Sequence, residues 1–126
     1  MTKTIIKPAG AAPAAGPYNL AVRIGDLLFC AGQIATVPET GNLLAGEIKA
    51  QTERVLENIK LILKDQGLTP ASVVKATVFM VNLAHFGEMN EVYGKFFSSD
   101  FPARTTVQVA ALPRGAQVEI EVIAHY

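Results

Sequence analysis

Between residues 47 and 66 apolar positions recur at spacings of three and four. Ile48, Thr52, Val55, Leu56, Ile59, Ile62 and Leu63 form one helical stripe, while Glu47, Glu53, Arg54, Glu57, Lys60 and Lys64 hold most of the wet face. Gly67 stands where a helix C′ glycine belongs, and Thr69-Pro70 breaks the chain. Phe86, Met89, Tyr93, Phe96 and Phe97 repeat that spacing and predict a second helix from His85 to Ser98. Elsewhere the runs are short, apolar and β-branched. Asn19 to Ile24 and Leu27 to Cys30 flank Gly25-Asp26 and predict a hairpin whose second strand continues through Ala31-Gly32-Gln33-Ile34. Ser72 to Val81 reads as a buried strand.

Two further strands are predicted near the C-terminus, Thr105 to Ala111 and Ala116 to Ala124, joined through Pro113-Arg114-Gly115 as an antiparallel hairpin. Val107 and Val109 alternate with Arg104, Thr106 and Gln108; Val118, Ile120 and Val122 alternate with Gln117, Glu119 and Glu121. The predicted order is strand, strand, helix, strand, helix, strand, strand. Two helices can then cover one face of a single sheet, an α+β two-layer sandwich. Both polar sets are expected on the opposite face, which either meets water or lines a subunit boundary. Ala9 to Pro17, rich in Gly and Pro, is expected to be a loop lying over the body of the protein.

The 126 residues fit one domain, residues 1–126, and with half of them apolar and 17% charged the chain is not intrinsically disordered. Eleven basic residues cancel eleven acidic ones, which counts against nucleic acid held by phosphate neutralisation. A mean hydropathy of +0.29 suggests apolar surface hidden in an oligomer. No apolar run approaches the ~20 residues of a membrane span, and Met1 to Lys7 does not read as a signal peptide, so the cytosol is expected. The lone Cys30 reads as a small buried hydrophobe, and with only His85 and His125 it cannot build a Cys/His zinc site.

The chain contains no G-x-S-x-G, P-loop, H-E-x-x-H or G-x-G-x-x-G. Both histidines are expected at the surface or a helix end. Candidate chemistry narrows to Arg104, Glu119 and Glu121 on the polar sheet face, with Tyr18 at the Gly-Pro loop. An arginine on a sheet is either a salt-bridge partner or a fork of donors for a carboxylate; residue type alone leaves both open. A nearby glutamate can steer a water and shuttle its proton. In the hairpin register that pairs Ala110 with Gln117, Gln108 opposes Glu119 and Arg104 lies four residues on, about 13 Å between backbones.

The run F-P-A-R-T-T-V-Q-V-A-A-L-P-R-G-A-Q-V-E-I-E-V-I-A, Phe101 to Ala124, resembles the Rid (YjgF) family of reactive-intermediate deaminases. A-P-A-A-G-P-Y (Ala12 to Tyr18), A-G-Q-I (Ala31 to Ile34), V-V-K-A-T-V-F (Val73 to Phe79) and M-N-E-V-Y…F-F (Met89 to Phe97) extend the resemblance over essentially the whole chain, closest to the RidA subfamily. It implies a chorismate-mutase-like fold, two helices on one face of a mixed sheet, assembled as a homotrimer with an inner sheet barrel and sites between neighbours. It also implies hydrolysis of 2-imino acids to 2-keto acids and ammonia, without cofactor or metal. By position, Arg104 would bind the substrate carboxylate and Glu119 would orient the attacking water and handle its proton. Tyr18 would close over the ligand, Asn90 would add a polar contact, and Gly32 would let the chain pass close to it. Ala31 replaces a frequent Ser and Thr106 a frequent Cys; both departures bear on substrate preference. Two competing functions are ribonucleolytic or translation-inhibiting activity and a non-enzymatic trimer that binds small carboxylates.

Overall fold

All seven residues of the first stripe are buried on one face of a helix, α1, spanning Ile48–Asp65 in the computed structural model, which describes residues 2–126. Its end closes as the sequence predicts. Gly67 adopts φ +70°, its N–H donates to Lys64 O at 3.0 Å, and the Leu68 N–H reaches back to Leu63 O at 2.8 Å. The second helix, α2, covers Phe86–Phe97 and packs against α1, burying Met89, Tyr93 and Phe97. Phe86, expected in the apolar face, is 40% exposed.

Six strands form one sheet: β1 Thr4–Ile6, β2 Ala21–Ile24, β3 Leu27–Gln33, β4 Val73–Met80, β5 Ala103–Gln108 and β6 Val118–His125, in the order β1-β2-β3-β6-β4-β5. The three-residue β1, absent from the sequence reading, pairs with β2. Every pairing is antiparallel except β4 with β5. The sheet is therefore mixed, with two helices packed on it. Parallel neighbours need a crossover of about a dozen residues or more, and α2 supplies it.

The expected C-terminal hairpin does not form. β6 lies between β3 and β4, whereas β5 lies on the far side of β4. Residues 109–117, with a 3₁₀ turn at Pro113–Gly115, carry the chain across the end of β4. The β4–α2–β5 crossover has already placed β5 at the sheet edge.

This topology inverts β5. Arg104 stands in register with Ala76, Thr106 with Val78 and Gln108 with Met80, and those three partners are buried on the helix side. The polar set of β5 thus points toward the helices, contrary to the expected shared polar face. Glu119 and Glu121 oppose Phe79 and Thr77 and take the open face. That face also exposes Ile5, Phe29 and Val107, at 44%, 41% and 38%.

On the helix side, Ile6, Ala21, Cys30, Val122 and Ala76 form a buried cross-strand row that ends in Arg104. Burial pushes the Cys30 thiol up to about 12, so it sits in the core as an inert apolar group. Among the described residues no helix is long and apolar enough to cross a membrane.

Candidate functional site

Arg104 ends a row of apolar residues at the edge strand, so its side chain has no sheet neighbour beyond it and meets α2 instead. One guanidinium nitrogen donates to Asn90 Oδ1 at 2.8 Å. The guanidinium carbon lies 4.6 Å from the centre of the Tyr93 ring and 5.5 Å from that of Phe86. Among the described residues the one ion pair is Lys49–Glu91, at 2.6 Å on the helix surface. Arg104 is thus held by an amide oxygen and two aromatic faces, which orient its charge without cancelling it. Thr106, beside it on β5, has its Oγ1 enclosed without a hydrogen-bond partner, as has the Tyr93 hydroxyl. Burial raises the Tyr93 pKa, and the Arg104 charge opposes that rise.

Glu119 belongs to a different neighbourhood. It lines a cleft of about 470 Å³ with Tyr18, Gly32, Ile34, Asn58, Arg114 and the Ala11–Ala15 loop. Desolvation first, then the negative charge of Glu121, hold its carboxyl above the usual glutamate range. A glycine at position 32 is what admits that carboxyl, since a Cβ there would clash with it. Tyr18 is exposed, and its hydroxyl accepts a bond from the Ala15 N–H at 3.4 Å, within the loop that overlies the cleft.

The predicted site residues therefore fall into two groups. Arg104, Asn90 and Thr106 gather between β5 and α2; Tyr18, Gly32 and Glu119 gather at the cleft. Ala31 faces a separate hollow, of about 440 Å³, on the open face of the sheet with Phe29, Lys75 and Glu121. Arg104 and Glu119 flank β4 on opposite sides, opposite Ala76 and Phe79. Two strand spacings and three residues put their backbones roughly 14 Å apart, and the odd offset turns them to opposite faces. The hairpin register gave a similar separation but the wrong relative orientation. One chain does not bring the two residues together.

Three residues near these groups went unnoticed in the sequence as site residues. Tyr93 was read only as part of the helix's apolar face. Asn58 is buried beneath the cleft, donating to Ile34 O and Thr36 O at 3.2 and 2.8 Å while accepting from Arg54 Nε at 3.1 Å. Its signal was available: a polar residue three after Val55 and four before Ile62 interrupts the apolar stripe. Arg114 reaches from the 3₁₀ turn to donate to Gly41 O at 2.7 Å at the cleft wall. Among the described residues no group of three or more His, Cys, Asp or Glu side chains converges as metal ligands would.

The chain is similar to known proteins over nearly its full length. Residues 9–126 match the family model described as Endoribonuclease L-PSP. A 2-iminobutanoate/2-iminopropanoate deaminase from Bos taurus is 42% identical, covering 98% of this chain and 90% of its own. The crystal structure of YyfA from Yersinia pestis, a protein of unknown function in the conserved Rid family, superposes with a TM-score of 0.95 at 42% identity, covering 99% of this chain and 100% of its own. The structure of E. coli TdcF with bound serine superposes with a TM-score of 0.92 at 40% identity, covering 98% of each chain.

Proposed function

The chain belongs to the Rid (YjgF) family, and from that premise we propose that it hydrolyses 2-imino acids such as 2-iminobutanoate and 2-iminopropanoate to 2-keto acids and ammonia. The observation that carries this reading is the state of Arg104. Its guanidinium is fixed by Asn90 and Tyr93 and paired with no carboxylate among the described residues. Such a cation is ready for a small organic acid held through two parallel hydrogen bonds. The serine bound to TdcF, an amino acid with an α-carboxylate, supports that ligand class.

Glu119 then serves as the proton carrier. Its ionised carboxyl takes a proton from a water whose oxygen attacks the imine carbon, and return of that proton to the imine nitrogen gives a neutral carbinolamine. The regenerated carboxylate then takes the carbinolamine's hydroxyl proton and passes it to nitrogen as the C–N bond breaks and the C=O bond forms, releasing ammonia. An imine also hydrolyses unaided in water, so positioning and polarisation suffice, with no cofactor or metal in the scheme. Tyr18 closes the loop over the ligand. Gly32 leaves room for the glutamate, Asn90 braces the arginine, and Ala31 and Thr106 tune substrate preference.

Because Arg104 and Glu119 face opposite ways in one chain, each site is completed by a second copy: Arg104 from one protomer meets Glu119 of the next. A homotrimer with the open sheet faces turned inward accounts for the apolar Ile5, Phe29 and Val107 there. The cytosol is the proposed compartment.

A coupled assay tests the reaction. A threonine dehydratase generates the imine and semicarbazide traps what survives. Wild type is expected to lower semicarbazone formation, while Arg104→Ala and Glu119→Gln leave it at the enzyme-free level. A folded Arg104→Ala variant with full activity overturns the assignment. The family model's description favours a second reading, RNA cleavage, in which Arg104 would grip a phosphate. Cleavage of single-stranded RNA that weakens steeply with salt supports it; absent or salt-insensitive cleavage argues against it.

A further inference from the structure

Phe86, Asn90 and Tyr93 are spaced by four and three residues, so they share one face of α2, and that face meets Arg104. The three contacts differ in rigidity. Phe86 is 40% exposed. Tyr93 is only 4% exposed and braced by Phe97, ring centres 4.6 Å apart. It is therefore the fixed surface against which a long, rotamer-rich arginine is set. We propose, resting on the imine-hydrolysis reading, that Tyr93 is a positioning residue for Arg104, its ring holding the guanidinium in the orientation that receives the substrate carboxylate.

An aromatic ring suits this task for a physical reason. Its face attracts a cation but brings no formal charge, so the guanidinium keeps its full affinity for an anion. A carboxylate in the same place would hold Arg104 equally still and consume its charge. The Tyr93 hydroxyl takes no part in this role. It is enclosed and unpartnered, a state that costs stability. Ring and hydroxyl can thus be separated experimentally.

Tyr93→Phe keeps the ring face and removes the unpaired hydroxyl; Tyr93→Leu keeps apolar filling and removes the ring. With a cation–π contact to a buried ring at stake, Tyr93→Leu is expected to raise KM for 2-iminobutanoate about tenfold and leave kcat within about twofold. Its affinity for 2-oxobutanoate, measured by calorimetry, should fall by the same factor. Tyr93→Phe is expected to keep wild-type kinetics and melt at a higher temperature. If Tyr93→Leu does not fold, Tyr93→Met fills the space flexibly and carries the same comparison. Wild-type KM in the ring-deleted variant overturns the proposal, as does a loss in Tyr93→Phe as large as in Tyr93→Leu, which would move the role to the hydroxyl. An active Arg104→Ala would remove the underlying reading instead; wild-type KM in Tyr93→Leu beside an inactive Arg104→Ala removes only the role of Tyr93.

Discussion

The carboxyl group of Glu119 occupies the space that a side chain on residue 32 would need. A Cβ built on Gly32 would lie 2.9 Å from Glu119 Cδ and 2.9 Å from its Oε2. These atoms belong to different strands, β3 and β6, at the point where the β3–β6 register shifts between Cys30 and Gln33. The irregular pairing and the glycine together let a carboxylate turn into the cleft beside the backbone.

Gly32→Ala is therefore expected to displace the Glu119 carboxyl while leaving the core intact. A shift of about 1 Å in a catalytic group can cost about a hundredfold in rate. Overpacking at one methyl should cost roughly 1–3 kcal/mol of stability. Measured kcat/KM and thermal midpoint separate the two effects. Wild-type kcat/KM in this variant would show that the carboxyl does not need its present place.

The pH dependence of Glu119 has a definite sign. Its carboxyl is raised above the ordinary glutamate range by burial and by Glu121. Between that range and the raised value the native state binds more protons than the unfolded state, so stability falls as pH rises through this window. Glu119→Gln removes that slope and is expected to make the protein more stable at neutral pH. As a base, Glu119 works ionised, so wild-type kcat/KM should rise with pH along an acid limb displaced above the usual carboxylate pKa. A limb at the ordinary value would assign the titration to another group.

Asn58 ties α1 to the chain that walls the cleft, through the carbonyls of Ile34 and Thr36. Asn58→Ala leaves both without that donor. A loss of about 2 kcal/mol is expected, read as a lower denaturant midpoint at unchanged slope. KM should rise as well, since Ile34 and Thr36 line the cleft with Glu119. Unchanged stability would mean that water replaces the amide without loss.

Much of this was legible in the chain. Both helices follow their apolar spacing to within a residue or two, and Gly67 ends α1 where its freedom at positive φ is needed. Alternation identified β6 correctly, with Val118, Ile120 and Val122 buried and Glu119 and Glu121 on the other face. Alternation does not say which strands are neighbours, and there the reading of β5 failed. Arg104, Thr106 and Gln108 look like a solvent face in isolation, yet they turn to the helix side, where Arg104 meets Asn90 and Tyr93 of α2, because β5 pairs parallel with β4. The strand–helix–strand order was itself the sign of that crossover. Arg104 and Glu119 could be named from the sequence as candidates, but that they point away from each other depends on the strand between them, which only long-range topology fixes.

The central claim is that one site takes Arg104 and Glu119 from different copies of the chain, and subunit mixing tests it most directly. Arg104→Ala and Glu119→Gln proteins are each expected to be inactive. Unfolded and reassembled together in equal amounts, they are expected to form the proposed trimer, in which an intact arginine meets an intact glutamate at about one site in four. Recovery of about a quarter of wild-type imine hydrolysis is the expected result. A mixture no more active than either parent, with mixed assembly verified by mass, would mean that both residues act from a single chain and would contradict the shared site.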